Sequence, residues 1–449
     1  MARVVRRHAR DEAPEVPYTR ADIEALSQQN HEPGWMTEKR LAAWDVFEQT
    51  PWPTTTDEPW RRTNYRHLRW AEAAPRHAVN GAALADIPAD HRAPLIGAKQ
   101  GGLIAQVGDK TVSRKLSDEL AAKGVIFTDL STAVREHGDL VRPHFMTHAV
   151  PPDRGKFAAL NGAMWTHGVF LYVPRGAQVE LPPHSVMWSP KAGATLGHLL
   201  VVVEDGADVT YLHEYASPTL DQQALYVGAV ELIVKDNASL KFVSLQEWGM
   251  HTFVFTHQRA RLGRDARLDW IVGAMGGRFS KDFLEIELDG AGSWARMSGL
   301  YFAEDNQFMD LDTQQNHNAP HGTSDLLFKG ALKDEARTVW QGMIFVAPGA
   351  QKTDGFQANR NLLLSKGARA DSIPGLEIEA DDVRCTHAAA LSQLEEEPIF
   401  YLMSRGVPRK DAERLVVNGF FMPIMDRIPF EGVRERLWNT ISARLESVL

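Results

Sequence analysis

Cysteine is almost missing from this chain: Cys385 is the only one among 449 residues. A lone thiol excludes an intrachain disulfide and fits a reducing compartment. Positive charge is not in excess either. The formal net charge is −9, whereas a generic nucleic-acid binder needs a basic face to neutralise phosphates. No run approaches the ~20 apolar residues that a membrane helix requires. The opening MARVVRRHARDEAPEV is basic but has no apolar stretch behind it, so no secretory signal is expected. Nucleotide-binding fingerprints are absent as well. GGLIAQVGDKT resembles a phosphate loop, but Asp109 stands directly before Lys110 and would repel phosphate, so it reads as strand and turn. GAMGGRF lacks the dinucleotide spacing. The remaining composition, 44% hydrophobic and 24% charged, is that of a soluble globular protein. A cytoplasmic protein binding neither nucleic acid nor membrane is expected.

What is present changes along the chain. TRADIEALSQQN offers Thr19 as an N-cap with Ile23 and Leu26 on one helical face. GWMTEKRLAAWDVFEQTPWP spaces Trp35, Leu41, Trp44 and Phe47 at a helical period, and Pro51 and Pro53 end it. An Ala- and Pro-rich stretch to about Pro94 reads as a poorly ordered connection. Then a different unit recurs, in which a turn-forming residue precedes Ala and a strand-like run follows. The alanines are Ala177, Ala194, Ala207, Ala238, Ala266, Ala336, Ala350 and Ala368, one or two units of roughly 13 to 18 residues apart except for the longer gap from Ala266 to Ala336. Repeated turn-plus-strand units predict a β-solenoid, in which each coil buries its inward residues by stacking on its neighbours. An antiparallel sandwich or barrel is the alternative. After the cysteine, SQLEEEPIFYLMSRGV places Leu394, Phe400, Tyr401 and Met403 at helical positions, with Pro398 tolerable only near the helix start and Gly406 as the stop. A helix from Pro408 and one over GVRERLWNTISARLESVL complete a helical tail.

Three groups of residues could carry chemistry. His317 and His321 flank NAP, which breaks any helix that would align them, so both read as loop or surface residues. Asp310 and Asp312 share a strand face, and paired carboxylates on a β-helix resemble those of polysaccharide-cleaving enzymes. Cys385 and His387, in DDVRCTH, are two apart, so on a strand both point to one face, about 7 Å apart. One thiolate cannot hold an iron–sulfur cluster, which normally needs about four ligands. Any cluster at this pair draws its other ligands from another chain. A buried, inert thiol is the plainer alternative.

The stretch QKTDGFQANRNLLLSKGARADSIPGLEIEADDVRCTHAAALSQLEEEPIFYLMSRGV closely resembles the signature of the SufB/SufD family of the SUF iron–sulfur cluster assembly machinery. EPGWMTEKRLAAWDVFEQTPWP with EPWRRTNY resembles that family's N-terminal helical region, and HNAPHGTSDLLFKGALKDEA its central region. The resemblance implies a mainly β fold, a right-handed parallel β-helix over residues 145–391, flanked by an N-terminal helical region (1–144) and a C-terminal one (392–449). It implies a scaffold subunit rather than an enzyme, without a nucleotide of its own. A transient iron–sulfur cluster is then shared with a SufB-like paralogue bound through the β-helix. His387 assists at that interface, with Cys385 a weaker candidate. SufB-type chains carry a sulfur-accepting cysteine in the strand that here reads LLSKGARADS, where this chain has Lys366, and an acidic residue within the segment RCTHAAA. Both departures favour the SufD type. The tail around FYLMSRG resembles the surface that docks the ATPase SufC, which implies Phe400, Tyr401, Ser404, Arg405 and Gly406 as docking residues. A homodimer in isolation is a further expectation. Two other functions compete: a β-helix polysaccharide lyase or hydrolase using Asp310 and Asp312, and a homodimeric interaction protein whose Cys-x-His is inert.

Overall fold

A computed structural model of the chain describes residues 14–74, 81–92 and 100–446. Strands alternate between two sheets, which is the topology of a solenoid. One sheet has 11 strands and runs from the hairpin Gly102–Val107 and Lys110–Leu116 through Asp208–Ala216, Arg267–Ala274 and Thr323–Leu332 to Asp354–Leu363 and Arg384–Gln393. The other has nine and runs from Ile126–Asp129 and His167–Val173 through Ala224–Val234 and Phe308–His317 to Arg337–Val346 and Arg369–Ile378. Pairing is parallel throughout, except in that hairpin and between Ile126–Asp129 and His167–Val173. The chain is therefore a parallel β-solenoid with helices before and after it. The register partners Asp208, Ser239, Arg267, Trp294, Thr323, Asp354 and Arg384 step along one sheet at intervals of 27 to 31 residues. The turn-plus-strand unit read from the sequence is half of such a coil.

The turns show why the recurring alanines follow a special residue. Gly206, Asn237, Asp265, Gly292, His321 and Lys352 all have φ between 55° and 74°, the left-handed conformation that Gly, Asn and Asp tolerate best. Each amide N–H donates to a carbonyl in the turn of the next coil: Gly206 to Asp236 (2.9 Å), Asn237 to Arg264 (2.8 Å), Asp265 to Ala291 (2.9 Å), Gly292 to Pro320 (3.1 Å) and His321 to Gln351 (2.9 Å). The residue that follows points inward and must be small. Ala207, Ala238, Ala266, Ser293 and Thr353 fill those places and are buried.

The solenoid interior is packed with Leu199, Val201, Leu232, Phe242, Trp270, Leu284, Phe328 and Trp340 among others. Helices cover the outer faces. On the nine-stranded sheet, Trp44 and Phe47 from the helix Gly34–Gln49, with Trp60, Tyr65 and Trp70, pack on Phe157, Leu200 and Phe255. On the other sheet the helices Arg409–Met425 and Glu431–Glu446 place Val417, Phe421, Val433, Leu437 and Ile441 on Leu212, Leu245, Ile271 and Leu300. Buried cations bind this tail to the strands. Lys329 Nζ donates to the Phe420 carbonyl (2.6 Å) and Lys333 Nζ to that of Arg444 (2.9 Å), and Arg436 pairs with the buried Glu214.

Part of the Ala- and Pro-rich connection, residues 75–80 and 93–99, lies outside the described residues. Its middle is packed rather than loose: Ile87 is buried against Ala105, Val107 and Trp188, and His91 stands beside Glu247. Strand pairing begins at Gly102 and ends at Gln393.

Candidate functional site

The two strands of the last coil, Arg369–Ile378 and Arg384–Gln393, are each 10 residues long and each hydrogen-bonded along one edge only. The sequence sets their register through the strand below: Gly355 pairs with Cys385 and Gln357 with His387. Gly355 and Gln357 face the interior and are buried, so Cys385 and His387 also face the interior side, on top of them. A Cβ on Gly355 would lie 3.3 Å from Cys385 Sγ and from Ile344 Cγ2, a tight contact. The thiol packs against the cluster of Ile344, Val346 and Ala350 and is half-buried. Burial pushes its pKa above the ordinary value, opposed by the Gly355 backbone N–H and reinforced by Asp354. Cys385 is thus a protonated thiol at neutral pH rather than an activated thiolate. His387, two residues on, is exposed because no further coil covers it. Arg384 holds the strand start by a two-pronged contact with Asp354 in the coil below. Lys366, where the resemblance places a partner-type cysteine, is exposed in the turn leading into Arg369–Ile378.

The tail helix spans Glu396–Ser404, so Pro398 falls in its first turn. Its buried anchor is Ile399, which the sequence pattern did not single out. Phe400 is 71% and Tyr401 57% exposed, so neither ring pins the helix to the β body. The Arg405 guanidinium lies 5.1 Å from the centroid of the Tyr401 ring, and Ser404 Oγ donates to the Tyr401 carbonyl (2.7 Å). Gly406, at φ 85°, turns the chain out of the helix. An aromatic pair with an arginine over it, left uncovered, has the composition of an interface anchor.

Asp310 and Asp312 do share a face, but a cation occupies the space between them. Lys281 Nζ, fully buried, lies 2.9 Å from Asp310 and 3.5 Å from Asp312. Thr63 donates to Asp310 from the N-terminal region. Burial raises the pKa of both carboxyls, with Lys281 opposing, and Asp312 reaches about 6. Asp310 is fully buried beneath the N-terminal region, while the Asp312 side chain keeps 21% exposure. His317 corrects another expectation. It lies on the strand Phe308–His317, fully buried, with Nε2 2.8 Å from Ser324 Oγ, and burial lowers its pKa to about 4. His321 occupies the next turn with φ 62°. Among the described residues no group of three or more His, Cys, Asp or Glu side chains could hold a metal.

The sequence reading missed a row of amides directly beneath the final coil. Gln357, Asn359 and Asn361 alternate along one strand and are all buried. Tyr301 Oη donates to Asn361 Oδ1 (2.5 Å), Asn361 Nδ2 to Asn359 Oδ1 (2.7 Å) and Asn359 Nδ2 to Tyr301 Oη (3.0 Å). The period-2 spacing of Gln, Asn and Asn in DGFQANRNLL was the available signal: three polar groups on one strand face, in phase with an inward Gly.

Comparison with known proteins gives the class. Residues 22–183 match the model of the SufBD protein N-terminal region, and residues 186–420 that of the SufBD core domain of SUF-system FeS cluster assembly. The chain is 33% identical to the iron–sulfur cluster assembly protein SufD of Bacillus subtilis, over 94% of this chain and 97% of that one. It is 27% identical to SufB of the same organism (92% and 90% covered) and 26% identical to a SufBD family protein of Staphylococcus epidermidis (91% and 89% covered). The chain belongs to the SufBD family, and its role is in iron–sulfur cluster assembly by the SUF system. No described helix is long and apolar enough to cross a membrane.

Proposed function

We propose that this chain is a non-ATPase scaffold subunit, of the SufD type, in a cytoplasmic SUF complex. Its final coil meets a SufB-like paralogue, and a transient iron–sulfur cluster, as cargo, forms across that interface. His387 contributes a ligand nitrogen or a proton acceptor there, and Cys385 plays a lesser part. The helix carrying Phe400, Tyr401, Ser404, Arg405 and Gly406 docks a SufC-like ATPase, which supplies ATP hydrolysis. In this reading residues 145–391 are the working body, 1–144 the lead-in and 392–449 the docking region. In the absence of the paralogue the same coil pairs two copies of this chain.

The observation that carries the reading is the open last coil. A solenoid buries its inward residues only by stacking, and long unpaired strand edges are normally blunted or covered. Here two such edges are uncovered, with Cys385 and His387 on the inward side of one of them. A partner coil placed on that end would satisfy the edges and enclose the pair. The test is reconstitution with a SufB-type chain and a SufC-type ATPase. His387→Ala is expected to leave folding within about 0.5 kcal/mol of wild type, as for an exposed side chain, and to lower cluster yield, with Cys385→Ser milder. A His387→Ala complex that builds clusters at the wild-type rate and yield overturns the assignment.

A further inference from the structure

Large apolar side chains left exposed fall in two places among the described residues. Phe356, Ile378 and Leu391 belong to the last coils, and Phe400, Tyr401, Met403, Leu415 and Met422 to the helices Glu396–Ser404 and Arg409–Met425. The methionines sort the same way. Met36, Met275 and Met425, like most of the others, are buried, whereas Met403 is 41% and Met422 45% exposed. Met403 stands one helical turn after Phe400 and next to Ser404, so it shares the face that carries them both. Met422 lies on the neighbouring helix, roughly 20 Å along its axis from Arg409. Arg409 ties the two helices together by donating to both carboxylate oxygens of Glu396 (2.6 and 2.9 Å).

We propose that Met403 is an oxidation site built into the docking helix, through which a peroxide weakens binding of the ATPase. This rests on the docking role given to that helix above. The exposed thioether attacks the O–O bond of hydrogen peroxide. Sulfur gives an electron pair to form the S–O bond, the O–O bond breaks, and the proton of the transferred oxygen goes to the leaving hydroxide, which departs as water. The methionine is oxidised to its sulfoxide and the peroxide is reduced. The product is polar where the thioether was apolar and adaptable. Beside Phe400 and Tyr401 it places a strong acceptor in a surface that docking must desolvate, and a buried acceptor left unpaired is unfavourable. Methionine sulfoxide reductases restore the thioether, so the change is reversible. The buried methionines are shielded from the same reagent, so the fold is kept while the surface changes.

The test is a titration of the full-length chain with hydrogen peroxide, read by peptide mass spectrometry and by affinity for a SufC-type ATPase. The gain of one oxygen is expected first at Met403 and Met422, with Met36, Met275 and Met425 unchanged and circular dichroism unaltered. Affinity is expected to fall about tenfold, the scale of losing an interface side chain, and to return after treatment with methionine sulfoxide reductase. For Met403→Leu the ratio of affinities before and after peroxide is expected to be near one, whatever its starting value. For Met422→Leu, in which Met403 still oxidises, the ratio is expected to match wild type. Unchanged affinity with Met403 converted to sulfoxide overturns the proposal and leaves the docking helix standing. So does a Met403 that stays a thioether while Met422 oxidises, or protection by Met422→Leu in place of Met403→Leu. A reduced wild-type chain that binds no SufC-type ATPase overturns the docking reading, and this proposal with it.

Discussion

The middle coils and the last coil are built from the same turn-plus-strand unit, yet their surroundings differ. Trp270 lies inside a middle coil with zero exposure, its sheet covered outside by the tail helices. Leu391, on an inward position of the last coil, is 56% exposed, and Ile378 41%. The middle coils are filled mostly by apolar side chains such as Phe242 and Trp270, with a few polar ones such as Thr256 and Asp282; at the last coil Gln357, Asn359 and Asn361 stand beneath it, bonded to Tyr301 and to Ser372. A solenoid cannot complete its own end, because each coil depends on a neighbour to exclude water. Amides beneath that end tolerate partial wetting and hold their side chains by directional bonds, where a leucine core would be left exposed. The difference marks where this chain is stable by itself and where it is completed from outside.

That contrast can be broken at its strong side first. Trp270→Ala empties a site packed against Phe242 and is expected to destabilise by about 3–5 kcal/mol, whereas Leu391→Ala is expected to change stability by less than about 0.5 kcal/mol. Urea titration of the two variants checks it, and equal losses would mean that the last coil is as well buried as the middle. A pH scan sharpens the comparison. Asp282 faces the interior beside Thr256, whose hydroxyl donates to Oδ1 (2.6 Å), and burial pushes its pKa up from 3.8 to about 6. The unfolded chain ionises this carboxyl at lower pH than the folded chain does. Stability therefore falls as pH rises from about 4 to about 6, by on the order of 2–3 kcal/mol, and levels off above. Asp282→Asn is expected to remove that part of the slope in melts at pH 4.5 and 7. A slope identical to wild type would show that Asp282 ionises in the fold as it does in water.

The smallest effect belongs to the exposed tail. Arg405→Glu is expected to leave circular dichroism unchanged and to weaken binding of a SufC-type ATPase by about 1–3 kcal/mol, the scale of an interface anchor. A titration with unaltered affinity would take the end of this helix out of the docking surface.

Which features were legible in the sequence follows from how local their causes are. The turn residues and the small inward residue after them reveal the solenoid, because positive φ favours Gly, Asn and Asp and a tight interior favours Ala, Ser or Thr at fixed positions. Caps and prolines bound the helices for the same reason; Thr19 forms the expected capping box with Asp22. Strand alternation alone puts Cys385 and His387 on one face. Other features depend on what is brought from far along the chain. Asp310 and Asp312 look like a catalytic pair until Lys281, 29 residues earlier, and Thr63, 247 residues earlier, are placed against Asp310. His317 reads as a loop residue until stacking buries it, and Ile399 becomes the anchor of its helix only where the helix meets the rest of the tail. The sequence by itself therefore determined the repeat and the position of the Cys-x-His pair, both set by short-range geometry, and it carried the family through resemblance. Only the tertiary structure decided that the thiol is half-buried, that His387 stands exposed on the open coil, and that Lys281 occupies the space between the two carboxylates. Burial and charge pairing depend on neighbours that the chain supplies from a distance.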